Sequence, residues 1–117
     1  MILTQIKTLS VNDAWKGRRF KTDQYKAYEK ELLLLLPNIE IPEGKLQLEI
    51  IVGFSSRASD IDNIIKPFLD ILQKKYSFND SRIYRLIIDK TITEKGSEFV
   101  AWEISELQEM RKNTKTN

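Results

Sequence analysis

The segment from Leu46 to Leu72 constrains the fold more than any other. Its first nine residues alternate, with Leu46, Leu48, Ile50, Val52 and Phe54 on one side and Gln47, Glu49, Ile51 and Gly53 on the other. Strand side chains point to opposite faces with period two, so this pattern predicts a strand with one face on a core. A short polar loop, 55–59, carries Arg57. From Asp60 the period changes. Ile61, Ile64, Ile65, Phe68, Leu69, Ile71 and Leu72 gather on one side at about 100° per residue, which predicts an amphipathic helix. Asp62, Lys66 and Asp70 recur at i, i+4 and i+8 on the polar side, with Asn63 and Gln73 beside them. Ser59 or Asp60 can cap the helix start. Pro67 falls inside it, withholds an N–H from the Asn63 carbonyl and predicts a bend. A strand running into a helix holds its junction residues rigidly, so a chemical site can be built there.

The remaining elements follow from similar signals. Residues 2–9 alternate and contain β-branched side chains, which favours a strand. Asn12-Asp13 and Gly17 mark a loop over 10–22. Thr22 or Asp23 can cap a helix over 24–36, whose apolar side is Tyr25, Tyr28, Leu32, Leu35 and Leu36. The run Leu32–Leu36 is apolar all round, so this helix end is expected to be buried or at an interface. Pro37 stops it. Residues 83–92 and 98–104 read as strands, joined by a Lys95-Gly96-Ser97 hairpin turn. Val100, Trp102 and Ile104 are expected to face the core. The chain of 117 residues is expected to form one domain, with a charged, flexible tail over 106–117. The element order predicts an α+β fold of two layers, with a four-stranded mixed sheet against two helices.

Composition narrows the chemistry. There is no cysteine and no histidine. Thiolate metal sites, histidine bases, His-ligated zinc and Ser–His triads are therefore excluded. An enzyme of this composition must work with carboxylates, lysine, hydroxyls and a hard cation, which selects Mg²⁺ or, as a substitute, Mn²⁺. The net charge is only +2, but its distribution is uneven. Between Lys16 and Lys26 stand Lys16, Arg18, Arg19, Lys21 and Lys26 against the single acid Asp23, interleaved with Trp15 and Phe20. Basic side chains contact phosphates and aromatics stack on exposed bases. The alternative is a solvated loop whose aromatics pack on the core. The Asp62–Lys66–Asp70 stripe also has an ordinary reading, an ion-pair ladder of about 0.2–0.5 kcal/mol per pair. No segment reaches the roughly 18 apolar residues of a membrane span, and the N-terminus lacks a signal-peptide pattern. A soluble, cytoplasmic protein is expected.

The run Asp60-Ile61-Asp62-Asn63-Ile64-Ile65-Lys66-Pro67-Phe68-Leu69-Asp70, followed by an apolar helix end and Asn79-Asp80, is more specific than a ladder. It resembles the RusA family of Holliday-junction resolvases. The stretch Ser10–Thr22 is similar to the basic N-terminal loop of such proteins, so the likeness covers most of the chain. The resemblance implies an active site of Asp60, Asp62, Lys66 and Asp80, with Asp60, Asp62 and Asp80 as metal ligands. Asn63, Asp70 and Asn79 are implied as support. Lys16, Arg18, Arg19, Lys21 and Arg57 are the candidate DNA contacts. One position departs from the pattern: the family often has two adjacent acids after the helix, and here the first is Asn79.

The same resemblance implies a Mg²⁺-dependent endodeoxyribonuclease that cuts branched DNA, the four-way junction, as a homodimer. A junction has approximate two-fold symmetry, which an isologous dimer matches. The leucine-rich helix end is a candidate part of its interface. The alternative, motivated by Asn79 and the basic aromatic loop, is a non-catalytic junction-binding module. A third reading is a structural protein whose acidic helix is only a solvated face.

Overall fold

Residues 1–17 and 20–108 are described by the structure, a computed structural model. The chain order is β1 (Ile2–Thr4), β2 (Trp15–Lys16), β3 (Phe20–Lys21), α1 (Asp23–Leu35), β4 (Leu46–Phe54), α2 (Ile65–Tyr76), β5 (Ile83–Ile92) and β6 (Phe99–Glu106). Three 3₁₀ turns, Val11–Asp13, Ile61–Ile64 and Asp80–Arg82, lie between them. Four strands form one mixed sheet in the order β1-β6-β4-β5. β4 runs parallel to β5 and antiparallel to β6, and β1 is antiparallel to β6. This is the expected α+β arrangement of two helices and a four-stranded mixed sheet. β2 and β3 add a two-stranded ribbon within the stretch expected to be a loop.

The alternation in β4 is realised residue by residue. Leu46, Leu48, Ile50, Val52 and Phe54 are buried. Leu48 and Ile50 join Val100 and Trp102 of β6, Tyr25, Tyr28 and Leu32 of α1, and Phe68, Ile71 and Leu72 of α2, while Val52 and Phe54 form a second cluster with Ile64. Trp102 meets the rings of Phe68, 6.3 Å away, and Tyr76, 5.7 Å away. Pairs of this kind add about 0.5–1.5 kcal/mol each beyond area burial.

Several local expectations are corrected. Strands β5 and β6 do not form a hairpin, because β4 lies between them. The connection passes the end of β4, where Thr93 N–H donates to the Phe54 carbonyl at 2.7 Å. Burial explains the order: β6 carries fully buried Val100 and Trp102 and takes an inner place, whereas most of β5 is exposed and takes the edge. A turn signal at Gly96 fixes reversal of the chain, not the partner of the returning strand. The first strand is three residues rather than eight. Leu35, expected on the apolar side of α1, is exposed, and so is Leu34, while Leu36 is buried. Glu106 still belongs to β6, and Leu107 N–H donates to the Lys45 carbonyl. Residues 109–117 of the expected tail lie outside the described residues.

The predicted helix from Asp60 is two pieces. Residues Ile61–Ile64 form a 3₁₀ turn, and α2 begins only at Ile65. Pro67 therefore falls in the first turn, where its missing N–H has no intrahelical partner to lose. It causes no mid-helix bend. Neither Ser59 nor Asp60 caps through its side chain: Asp60 holds the N-cap position of the 3₁₀ turn without a side-chain hydrogen bond there.

Candidate active site

The acid-bearing turn is fixed by packing. Ile64 and the half-buried Ile61 pack against Val52 and Phe54 at the end of β4. With its isoleucines turned to the sheet, the turn presents exposed Asp60 and Asp62 to solvent. Among the described residues neither carboxylate has a hydrogen bond or ion pair. An Asp at an N-cap position normally accepts a backbone N–H, so an uncapped one is a local rule left unused. Such departures concentrate at functional sites.

Lys66 stands on the first turn of α2. Its ammonium donates to Asp70 Oδ1 at 2.8 Å. That hydrogen bond raises the Lys66 pKa above its ordinary value; burial opposes the shift, and the charges of Asp70 and Asp80 reinforce it. Lys66 is therefore a fixed cation throughout the neutral range. Asp70 thus supports Lys66 rather than standing as an independent acid. Its charge, after burial, also helps push the Tyr25 hydroxyl up to about 12.

Asp80 follows α2 in a 3₁₀ turn that three side chains hold, of which only Gln73 bonds Asp80 itself. Gln73 Oε1 accepts the Asp80 N–H at 2.9 Å. Asn79 Oδ1 accepts the Ser81 N–H at 2.8 Å and so caps the 3₁₀ turn. The Arg82 guanidinium donates to the carbonyls of Pro42 and Gly44. Gln73 and Arg82 hold this turn in place, contacts that the sequence did not mark. An amide or guanidinium becomes informative only once the chain has brought a loop to it.

The structure does not gather the three expected metal ligands within one chain. β4 and β5 are parallel, so α2 must return the chain along the sheet between them. Its 12 residues span roughly 18 Å at 1.5 Å per residue. Asp60 and Asp62 precede this helix in the chain, and Asp80 follows it, tied back to Gln73 and near enough for its charge to act on Lys66. Among the described residues no group of three or more acidic side chains is close enough to hold a metal ion. The donor chemistry nevertheless suits Mg²⁺, which is bound by one or two carboxylates, retained waters and substrate phosphates rather than by a complete protein cage.

The basic segment is more ordered than a solvated loop. Thr22 caps α1 by accepting the Tyr25 N–H and donates its own hydroxyl to the Asp13 carbonyl at 2.6 Å. Trp15 packs edge-on against Tyr25, with ring centroids 5.3 Å apart. Phe20 is 71% exposed. The two aromatics thus divide between the two roles weighed above, one packed and one open to solvent. Lys16 and Arg57 are exposed. Lys21 is paired with Glu29 at 3.1 Å, and Glu29 also pairs with Lys74 of α2 at 3.3 Å. Arg18 and Arg19 lie outside the described residues.

A groove of about 470 Å³ runs past Asp60 and Asn63 to Ser10 and Gln24. No helix among the described residues is long and apolar enough to cross a membrane.

No curated protein matches the sequence. The family model for Endodeoxyribonuclease RusA matches residues 9–101, from the segment before the first 3₁₀ turn to the middle of β6. With that match covering most of its length, the chain belongs to the RusA endodeoxyribonuclease family.

Proposed function

We propose that the protein is a Mg²⁺-dependent endodeoxyribonuclease that resolves Holliday junctions by paired cleavage of opposing strands. One observation carries the reading beyond family membership. Asp60 and Asp62 project, uncapped and unpaired among the described residues, from a turn anchored on the end of β4, one turn before the fixed cation Lys66. Carboxylates do not attack a phosphodiester themselves, because anion repels anion. Asp60 and Asp62 would hold Mg²⁺, with Asp80 as the third acid, and the bound ion supplies an activated water and screening of the phosphate. Lys66 would neutralise charge developing on the scissile phosphate. Lys16, Phe20 and Arg57 would receive the DNA arms.

The lack of a three-acid group among the described residues supports a dimeric enzyme. Among the described residues of one chain no three acids form a metal-holding group, whereas two copies facing each other can share their acids at each of two sites. Two equal sites match a two-fold symmetric junction. Exposed Leu34, 79% accessible at the end of α1, is a candidate for the interface.

The deciding experiment is cleavage of a labelled synthetic four-way junction with and without Mg²⁺, beside Asp62→Asn and Lys66→Ala. Paired nicks that need the metal and Asp62 are expected, with junction binding retained by both variants. Cleavage retained by Asp62→Asn would remove that residue from the site. Structure-selective binding without scission at any metal concentration would instead establish a junction-binding module. Light scattering should show a dimer at micromolar concentration, or pairing on DNA.

A further inference from the structure

Lys90 lies on β5, in register with buried Val52 of β4, and reaches across the sheet end to the loop before the acid-bearing turn. Its ammonium donates to the Ser59 carbonyl at 2.7 Å and to the Arg57 carbonyl at 3.1 Å. Ser59 immediately precedes Asp60. The same loop is closed internally by Ser59 N–H to the Ser56 carbonyl at 3.2 Å and by Ala58 N–H to Ser56 Oγ at 3.2 Å. The turn is thus held from two sides. Ile61 and Ile64 pin its far side to Val52 and Phe54, and Lys90 pins its entrance.

We propose that Lys90 is a positioning residue, which fixes the backbone at Ser59 so that the uncapped Asp60 carboxylate is presented in one orientation. The proposal rests on the nuclease reading of Asp60. A carboxylate without its own hydrogen bonds is oriented only by the backbone that carries it. A lysine on an edge strand is ordinarily explained as a guard against edge pairing. Here the ammonium is spent on two carbonyls, and both belong to the one loop that leads into Asp60. Removal of that clamp frees the Ser59 peptide and spreads the orientations of Asp60. Groups that orient a metal-binding side chain from behind typically change metal affinity by about 10–100-fold.

The test compares the wild-type chain with Lys90→Met and Lys90→Arg in three measurements. The first is the Mg²⁺ concentration for half-maximal junction cleavage. The second is junction affinity in EDTA, and the third is amide hydrogen exchange without metal. Lys90→Met is expected to need about 10–100-fold more Mg²⁺, with the rate largely recovered at saturation and junction affinity in EDTA little changed. Lys90→Arg, which can reach the same carbonyls, is expected to restore most of the metal response. Exchange at the Ser59 amide, bonded to the Ser56 carbonyl, should rise in Lys90→Met while β4 and β6 stay protected. An unchanged Mg²⁺ midpoint with weakened junction affinity would overturn the proposal and leave Lys90 a phosphate contact. A uniform rise in exchange through β4 and β6 would also overturn it, since Lys90 would then serve the whole sheet. An inactive wild-type chain would overturn the nuclease reading itself, a result distinct from an active wild type with an unaltered Lys90→Met.

Discussion

The side-chain carboxamide of Gln73 accepts the backbone N–H of Asp80 at 2.9 Å and donates its own N–H to the Leu69 carbonyl at 3.2 Å. One amide therefore ties the last turns of α2 to the loop carrying the third acid. Gln73→Leu keeps the volume and removes both bonds. The hydrogen bonds are worth about 0.5–1.5 kcal/mol each, so the variant should fold. Misplacement of a reacting group by about 1 Å can cost on the order of 100-fold in rate, so cleavage should fall far more than stability. Thermal unfolding and single-turnover cleavage on the same sample check this.

Asn79 stands where the family often has an acid, and its side chain is occupied as the cap of the turn at Asp80. Asn and Asp are nearly equivalent as caps, whereas Ala costs about 1 kcal/mol. Asn79→Asp should leave urea stability unchanged and Asn79→Ala should lower it. Asn79→Asp should leave junction cleavage in place, because its capping oxygen still faces Ser81 N–H, whereas Asn79→Ala should lower it by loosening the turn that carries Asp80. A large gain of cleavage in Asn79→Asp would show that the missing charge had limited the metal site.

Glu29 joins the end of the basic ribbon to both helices through Lys21 and Lys74. Burial disfavours its charged form, but the hydrogen bonds and charges of the two lysines outweigh this and lower its pKa. A depressed carboxylate contributes stability above its unfolded pKa, near 4.3, and loses it as the pH falls through the folded value. Both lysines reach solvent, so the contribution should stay below about 1 kcal/mol. The stability difference between wild type and Glu29→Gln should therefore be present at pH 7 and disappear as the pH falls through the lowered folded pKa. Urea titrations across that range measure it.

Trp15 and Phe20 should separate by phenotype. Trp15 packs on Tyr25, so Trp15→Ala should lower stability by about 3–5 kcal/mol at most, the range for a large core aromatic. Phe20 is exposed, so Phe20→Ala should leave stability unaltered. If Phe20 stacks on a base, junction affinity should fall by about 1–3 kcal/mol. Binding titrations at fixed salt test this.

Much of the fold was legible because it depends on near-neighbour periodicity. The alternation over Leu46–Phe54 set β4 and its buried face, and the cap at Thr22 and stop at Pro37 bracketed α1. The family likeness rested on Asp60, Asp62, Lys66 and Asp80, and the sequence marked these residues without showing how they are disposed. Sheet order was not legible. Gly96 signals that the chain turns, but only the burial of Val100 and Trp102 decides that β6 takes the inner place beside β4. Nor was the split of the acidic helix. Pro67 fits a first turn as well as a kink, and the packing of Ile61 and Ile64 on Val52 and Phe54 selects the former. The roles of Gln73, Arg82 and Lys90 depend on partners 7 to 40 residues away in sequence. Local pattern marked the residues proposed to carry the chemistry. Long-range burial and the parallel return through α2 decided which of them stand together, because those contacts exist only after the chain has closed on itself.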